Sequence, residues 1–173
     1  MGVLKDRRCY LSGPIENDVD PSHNWRIGPK AVLVDRFGID LFDPFDDPKQ
    51  QWAEALKEAR DRSDYDEMAR IAKNFVRKDL CMVDRSDFII ACLPYKFPTT
   101  GTHHEIINSS NAKKPTLLVC PQGKNQVPLW YYGFIPHECM FGSWDDLYQY
   151  LQDIEDGKYK GVNNRWDYVY GLV

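Results

Sequence analysis

Several classes of protein are excluded by what this chain does not have. No stretch approaches the ~18 consecutive apolar residues that a membrane-crossing helix needs. The amino terminus carries charges, Lys5 to Arg8, but no apolar core of a signal peptide. Asp6 occupies the position where a myristoylation motif requires Ser or Thr. The five cysteines form no CxxC pair and no regular spacing, and Cys92 and Cys120 sit inside apolar runs. They read as reduced thiols in a cytoplasmic protein rather than a disulfide framework. There is no GxGxxG and no GxxxxGK[ST], so the dinucleotide and P-loop fingerprints are missing. Basic residues are not in surplus: 22 Lys and Arg face 26 Asp and Glu, a net charge of −4. A general nucleic-acid binder would need the opposite sign to neutralise phosphates. Repeats, low-complexity segments and linkers are absent too, so the 173 residues read as one domain, 1–173, with an aromatic tail over about 158–173.

What is present is an alternation of strand and helix signals. Cys9 to Leu11 is a short apolar run, opening as early as Arg7, closed by Ser12-Gly13-Pro14. Residues 16–22 are polar and acidic, a loop. A helix is expected from about Ser22 to Phe37, interrupted by Gly28-Pro29 and stopped by Gly38. Ile39 to Phe42 gives a second strand, closed by a turn-rich segment from Asp43 to Pro48. Two helices follow, Gln50 to Arg62 and Tyr65 to Val83, each with apolar residues at i, i+3, i+4, i+7 spacing. Ser63 or Asp64 breaks or caps between them. Phe88 to Leu93 is unbroken apolar, as suits a strand buried on both faces. A helix over 102–112, a strand over 116–120, a short fifth strand drawn from 134–135 and 139–141, and a helix capped by Ser143 and stopped by Gly157 complete the pattern. Strands alternating with helices predict a flavodoxin-like or Rossmann-like open, parallel, five-stranded sheet with helices on both faces.

In such a sheet, ligands bind beyond the carboxyl ends of the strands. The loop after the third apolar run holds Thr99, Thr100 and Gly101, then Thr102-His103-His104-Glu105. Thr102 through Glu105 fits a capping box, in which the glutamate only bonds back to the cap. The same place, in the first turn of a helix, also suits an ionised carboxylate acting as a nucleophile. Adjacent His103 and His104 point to different faces, so with Glu105 they have no metal-ligand spacing. Asp79 lies late in its helix, where a negative charge opposes the dipole. Asp84 and Asp87 flank the turn into the third strand. The cluster Trp130 to Tyr132 suits base stacking, core packing or an interface.

Four of these pieces, in order, resemble the nucleoside 2-deoxyribosyltransferase family and its nucleotide N-glycosidase relatives. They are Tyr10-Leu11-Ser12-Gly13 ending a strand, Asp79 followed by Ser86-Asp87, Thr100-Gly101 leading to Glu105, and Lys114-Pro115 before the next strand. The match covers about half the chain well. The resemblance implies that Glu105 attacks C1′ of the sugar, that Asp79 protonates the leaving base, and that Tyr10 orients Glu105. It implies substrate contacts from Ser12, Gly13, Pro14, Asp87, Thr99, Thr100, Gly101 and Trp130, with Asp87 supporting its loop. It also implies no metal or organic cofactor, a nucleoside or nucleotide and a free nucleobase as partners, and a homo-oligomer of two or more subunits. The aromatic segments at 130–132 and 166–170 are interface candidates.

Three departures bear on the substrate. Thr99 stands where the transferases often carry an Asp contacting the sugar's 5′ end, and the monophosphate hydrolases use a hydroxyl there. The first loop is acidic, with Glu16 and Asp18, and shows none of the hydrolases' Arg. Trp130 stands where some transferases place a subunit-donated Asn. A free nucleoside is favoured, with a nucleoside monophosphate as the alternative. The reading from another class is a non-catalytic nucleotide-sensing or scaffold domain, in which Glu105 is a cap.

Overall fold

The computed structural model describes residues 2–15, 25–46, 50–94, 99–162 and 164–172. The acidic loop at 16–22, the first residues of the expected first helix, the end of the turn before Gln50 and the stretch 95–98 lie outside the described residues.

The strands form where the apolar runs stood: β1 Arg8–Ser12, β2 Asp40–Phe42, β3 Phe88–Cys92, β4 Thr116–Val119 and β5 Met140–Phe141. All pair in parallel, in the order β2-β1-β3-β4-β5. This is the flavodoxin-like order, in which the chain reverses direction across the sheet between β1 and β3. Every residue of β3 and β4 is buried, as an apolar run covered on both faces requires.

The principal helices are α1 Ile27–Asp35, α2 Gln50–Asp61, α3 Tyr65–Arg85, α4 Thr100–Asn111 and α5 Trp144–Glu155, with a short α6 at Asn164–Asp167. Right-handed crossovers put α1 and α5 on one face, and α3 and α4 on the other. Contacts agree: Trp25, just before α1, stacks on Trp144 of α5 at 5.5 Å, and Arg36 donates to Gln152 at 3.0 Å.

Helix boundaries follow local chemistry. The α1 helix starts at Ile27, so Pro29 falls in the first turn, where its missing N–H is no loss. Gly38 takes φ +66° after the helix, the left-handed position that glycine occupies without strain. Asp64 caps α3 by accepting from Glu67 N–H at 3.1 Å, and Ser143 caps α5 by accepting from Asp146 N–H at 3.1 Å. The other end of α3 is capped from a distance. The Lys114 ammonium donates to the carbonyls of Val83 at 2.6 Å and Ser86 at 2.7 Å.

The fifth strand keeps only Met140–Phe141, since 134–135 form a turn and bend and Cys139 closes a 3₁₀ turn after Pro136. Two further expectations change. The α4 helix begins at Thr100, not Thr102, because the Thr99 carbonyl already accepts from His103 N–H at 2.9 Å. Trp166 is core rather than interface. Its ring is fully buried against Phe88 and Tyr150, and its indole N–H donates to the Tyr150 hydroxyl at 3.0 Å. The tail is tied down further by Tyr170, which donates to the Ile154 carbonyl at 2.9 Å, and by Arg7, which donates to the Val169 carbonyl at 2.8 Å. Among the described residues, no helix is long and apolar enough to cross a membrane.

The tail therefore completes the core. Trp166→Ala removes the largest fully buried side chain and leaves a cavity beside β3. A loss of about 3–5 kcal/mol is expected, seen as a lower urea midpoint with the slope of the transition unchanged. A variant as stable as the native chain would show the tail to be dispensable.

Candidate active site

Strand alternation sends every second side chain to the same face. Tyr10 and Ser12, two apart on β1, therefore share one face, and that face meets α4. On α4 the buried residues are Thr102, Glu105, Ile106, Ser109 and Ser110, a stripe at helical spacing. Glu105 lies in the middle of that stripe, 7% exposed. A carboxylate there needs donors to replace lost water. The Tyr10 hydroxyl donates to one oxygen at 2.8 Å, and the Ser12 hydroxyl donates to the other.

This geometry overturns the capping-box reading. Glu105 is the sixth residue of α4, past the first turn, and Thr102 is already helical. Both carboxylate oxygens face hydroxyls of β1 rather than the start of their own helix. Because β1 and β3 are neighbours at the chain reversal, the carboxylate sits at the topological switch point, where this class of sheet binds ligands.

Tyr10 is held as a phenol. Burial, then the charges of Glu105 and Asp79, push its pKa far above the ordinary value, so the hydroxyl keeps its proton and stays a donor. Asp79 is half-buried on α3, and its charge is felt at Tyr10.

The turn after Ser12 is held by a residue that the sequence reading passed over. Arg26, 1% exposed, donates to the carbonyls of Gly13 at 3.0 Å and Pro14 at 3.1 Å. Its Nε lies 3.2 Å from Asp43, which also meets Lys30 at 2.6 Å. The guanidinium stacks on Trp25, 4.3 Å from the ring centroid, and the same indole lies over Gly13. A Cβ at Gly13 would fall 2.5 Å from that ring, so close packing is what requires glycine here.

A second chain of polar groups starts at α4's amino end. Thr99 Oγ1 lies 3.2 Å from His103 Nε2, and His103 Nδ1 hydrogen-bonds the Tyr131 hydroxyl. Burial pushes Tyr131 up to about 12 and lowers His103. Tyr131 keeps its proton and the imidazole is neutral, so one ring nitrogen donates and the other accepts, each paired with a hydroxyl. His104 is exposed, so of the two histidines only His103 faces inward.

Thr100 and Gly101 are exposed on the first turn of α4, and Pro14 is buried beside Arg26. Two expected substrate contacts are not brought to this group. Asp87 lies at the amino end of β3, opposite the carboxyl ends, where it accepts from Arg8 N–H at 2.7 Å and from the Tyr168 hydroxyl. Its position just before the strand, rather than after it, dictates that placement. Trp130 is 80% exposed in a 3₁₀ turn, and its neighbour Tyr131 is the ring that points inward. The residues missed, Trp25, Arg26 and Asp43, left one signal: a Trp-Arg pair directly after a polar loop.

No protein-family model and no curated protein matches the chain. Among solved structures, a 2-deoxyribosyltransferase from the psychrotolerant bacterium Bacillus psychrosaccharolyticus matches with a TM-score of 0.53 at 18% identity, over 81% of this chain and 89% of that one. The two share the five-stranded parallel α/β fold.

The neutral imidazole has a consequence for stability. The lowered pKa means that the unfolded chain binds a proton near pH 6.5 while the folded chain does not. Stability contributed by His103 is therefore present above about pH 6.5 and is lost as pH falls toward the lower folded value. Urea midpoints from pH 7.5 to 5 should fall more steeply for the native chain than for His103→Asn. Parallel slopes would exclude the neutral, partly buried ring.

Proposed function

We propose that the chain is a nucleoside 2-deoxyribosyltransferase, moving deoxyribose between nucleobases through a glycosyl ester on Glu105. The observation that carries this reading is the buried Glu105 carboxylate, gripped by the Tyr10 and Ser12 hydroxyls at the switch point of the sheet. The fold shared with a 2-deoxyribosyltransferase is consistent with it.

In the first step a Glu105 oxygen forms a bond to C1′ as the C1′–N bond breaks. The electron pair leaves with the base, which takes a proton from Asp79. In the second step the nitrogen of an incoming base attacks C1′, the ester C–O bond breaks, and the carboxylate is restored. The proton released by the incoming base returns to Asp79. This is a double displacement with retention, and its transition states resemble an oxocarbenium ion. Tyr10 and Ser12 hold the carboxylate in one orientation, which reduces the entropy lost on reaching the attack geometry. Gly13 and Pro14 follow β1 and Thr99, Thr100 and Gly101 open α4 after β3, and on this reading the sugar and base would rest beside these two neighbouring strand ends.

Arg26 favours a nucleoside over a monophosphate. It is the first arginine after the turn that follows β1 in sequence, and Asp43, Gly13 and Pro14 hold it in the interior. Cleavage of a nucleoside monophosphate by water is the alternative outcome of the same chemistry. The exposed Leu129 and Trp130, at 87% and 80%, suit a contact between subunits of a homo-oligomer.

Incubation with deoxyinosine and adenine should yield deoxyadenosine, and omission of adenine should abolish it. Glu105→Gln should lower kcat by about 10³-fold or more, and a trapped sugar adduct should map to Glu105. Free base released only from a deoxynucleoside monophosphate would support the hydrolase instead. Absence of product in every reaction, with Glu105→Gln indistinguishable from native, would sink both.

A further inference from the structure

We propose that Arg26 is a positioning residue for Glu105: it fixes the turn that presents Ser12, and its buried charge favours the ionised carboxylate. The inference rests on the function proposed above only for its kinetic readout.

Ser12 is the last residue of β1, so its hydroxyl is placed by the backbone that follows it. Two guanidinium nitrogens of Arg26 grip the next two carbonyls, Gly13 and Pro14, at 3.0 and 3.1 Å. The third nitrogen faces Asp43 at 3.2 Å, at the carboxyl end of β2. One side chain thus ties the ends of two neighbouring strands together. The planar fork can make these contacts together; a lysine ammonium is a single point and cannot reproduce them. Trp25 covers the guanidinium at 4.3 Å and packs on Gly13, so the turn is clamped from both sides.

The second element is charge. Among the described residues, the hydroxyls of Tyr10 and Ser12 from β1 face Glu105, and the charge of Asp79 on α3 is felt at Tyr10 beside it. On its own helix His103 is neutral and His104 is turned outward. Arg26 is a positive charge coupled to both Tyr10 and Glu105, with Asp43 balancing it. Because the guanidinium keeps its proton throughout the working range, its influence on the carboxylate does not vary with pH.

Two readouts separate this role from simple stability. One is the titration of Glu105, followed in the full-length chain by carboxyl ¹³C NMR. The other is transfer from deoxyinosine to adenine. Arg26→Gln should raise the Glu105 titration by about one pH unit, move the acid limb of kcat/KM with it, and lower kcat about tenfold or more. Arg26→Lys should return the titration toward native yet leave kcat low, because the carbonyls of Gly13 and Pro14 are no longer bridged.

A native titration in folded Arg26→Gln would overturn the electrostatic part, and native kcat in Arg26→Lys would overturn the positioning part. If Arg26→Gln does not fold, Arg26→Lys decides: low kcat with a near-native titration supports the proposal, and full kcat ends it. A native chain without transferase activity would count against the proposed function, while the titrations would still read the coupling between Arg26 and Glu105.

Discussion

An ionised carboxylate taken out of water loses several kcal/mol of hydration unless donors inside the protein replace it, and much of this molecule is arranged around that requirement at Glu105. The donors must come from outside α4, since the carboxylate lies beyond the free N–H groups of the helix's first turn. They come from alternate residues of β1, a spacing that only an extended strand turns to one side. For β1 to present them, it must lie next to β3, from which α4 departs. The 2-1-3-4-5 order supplies that adjacency. The geometry of one side chain is thus a consequence of topology as much as of local sequence.

The same logic extends outward. Ser12 can donate reliably only if the chain after it is held, and Arg26 holds it through two carbonyls. A buried guanidinium in turn needs a carboxylate, which Asp43 provides from the end of β2. Asp43 is then shared with Lys30, whose ammonium is partly exposed and also meets Asp46 at 2.7 Å. Charge is handed stepwise from the interior to solvent, so each buried ion faces a partner. Breaking such a chain leaves an uncompensated buried charge, which is far more destabilising than an exposed pair is stabilising.

The strands were legible because apolar runs bounded by Gly, Pro and Asp have few other uses in an alternating α/β pattern. The handedness of the crossovers then decides which face each connecting helix covers. The ends of elements were less legible where two donors compete. Thr99 and Thr102 both suit a helix start, and the Thr99 carbonyl settled the matter in the folded chain. Glu105 and Tyr10 were found by their ordered resemblance to a family, and the fold brought them within hydrogen-bond reach. Ser12, expected near the substrate, is the second donor to Glu105. Arg26 could not be read from local sequence, since its partners lie 12 and more residues away along the chain. Trp166, taken as interface material, is core because β3 and α5 leave room that only the tail fills.

Asp79 was singled out in the sequence for an insufficient reason. Its negative charge late in α3 suggested a penalty accepted for function. The helix runs on to Arg85, six residues further, and the dipole's influence is confined to about the last turn. Lys114 also places an ammonium on the terminal carbonyls of Val83 and Ser86, which offsets the negative end of the helix. The penalty at Asp79 is therefore small and marks nothing by itself. Position is the stronger argument. Asp79 is half-buried, packed on the sheet side where its charge reaches Tyr10, and so stands near the Tyr10–Glu105 pair. Both carboxyl groups act on one buried hydroxyl, and their charges help keep the Tyr10 proton in place. The hydroxyls of Tyr10 and Ser12 are both directed at Glu105, so the carboxylate of α4 is the one that β1 holds in place.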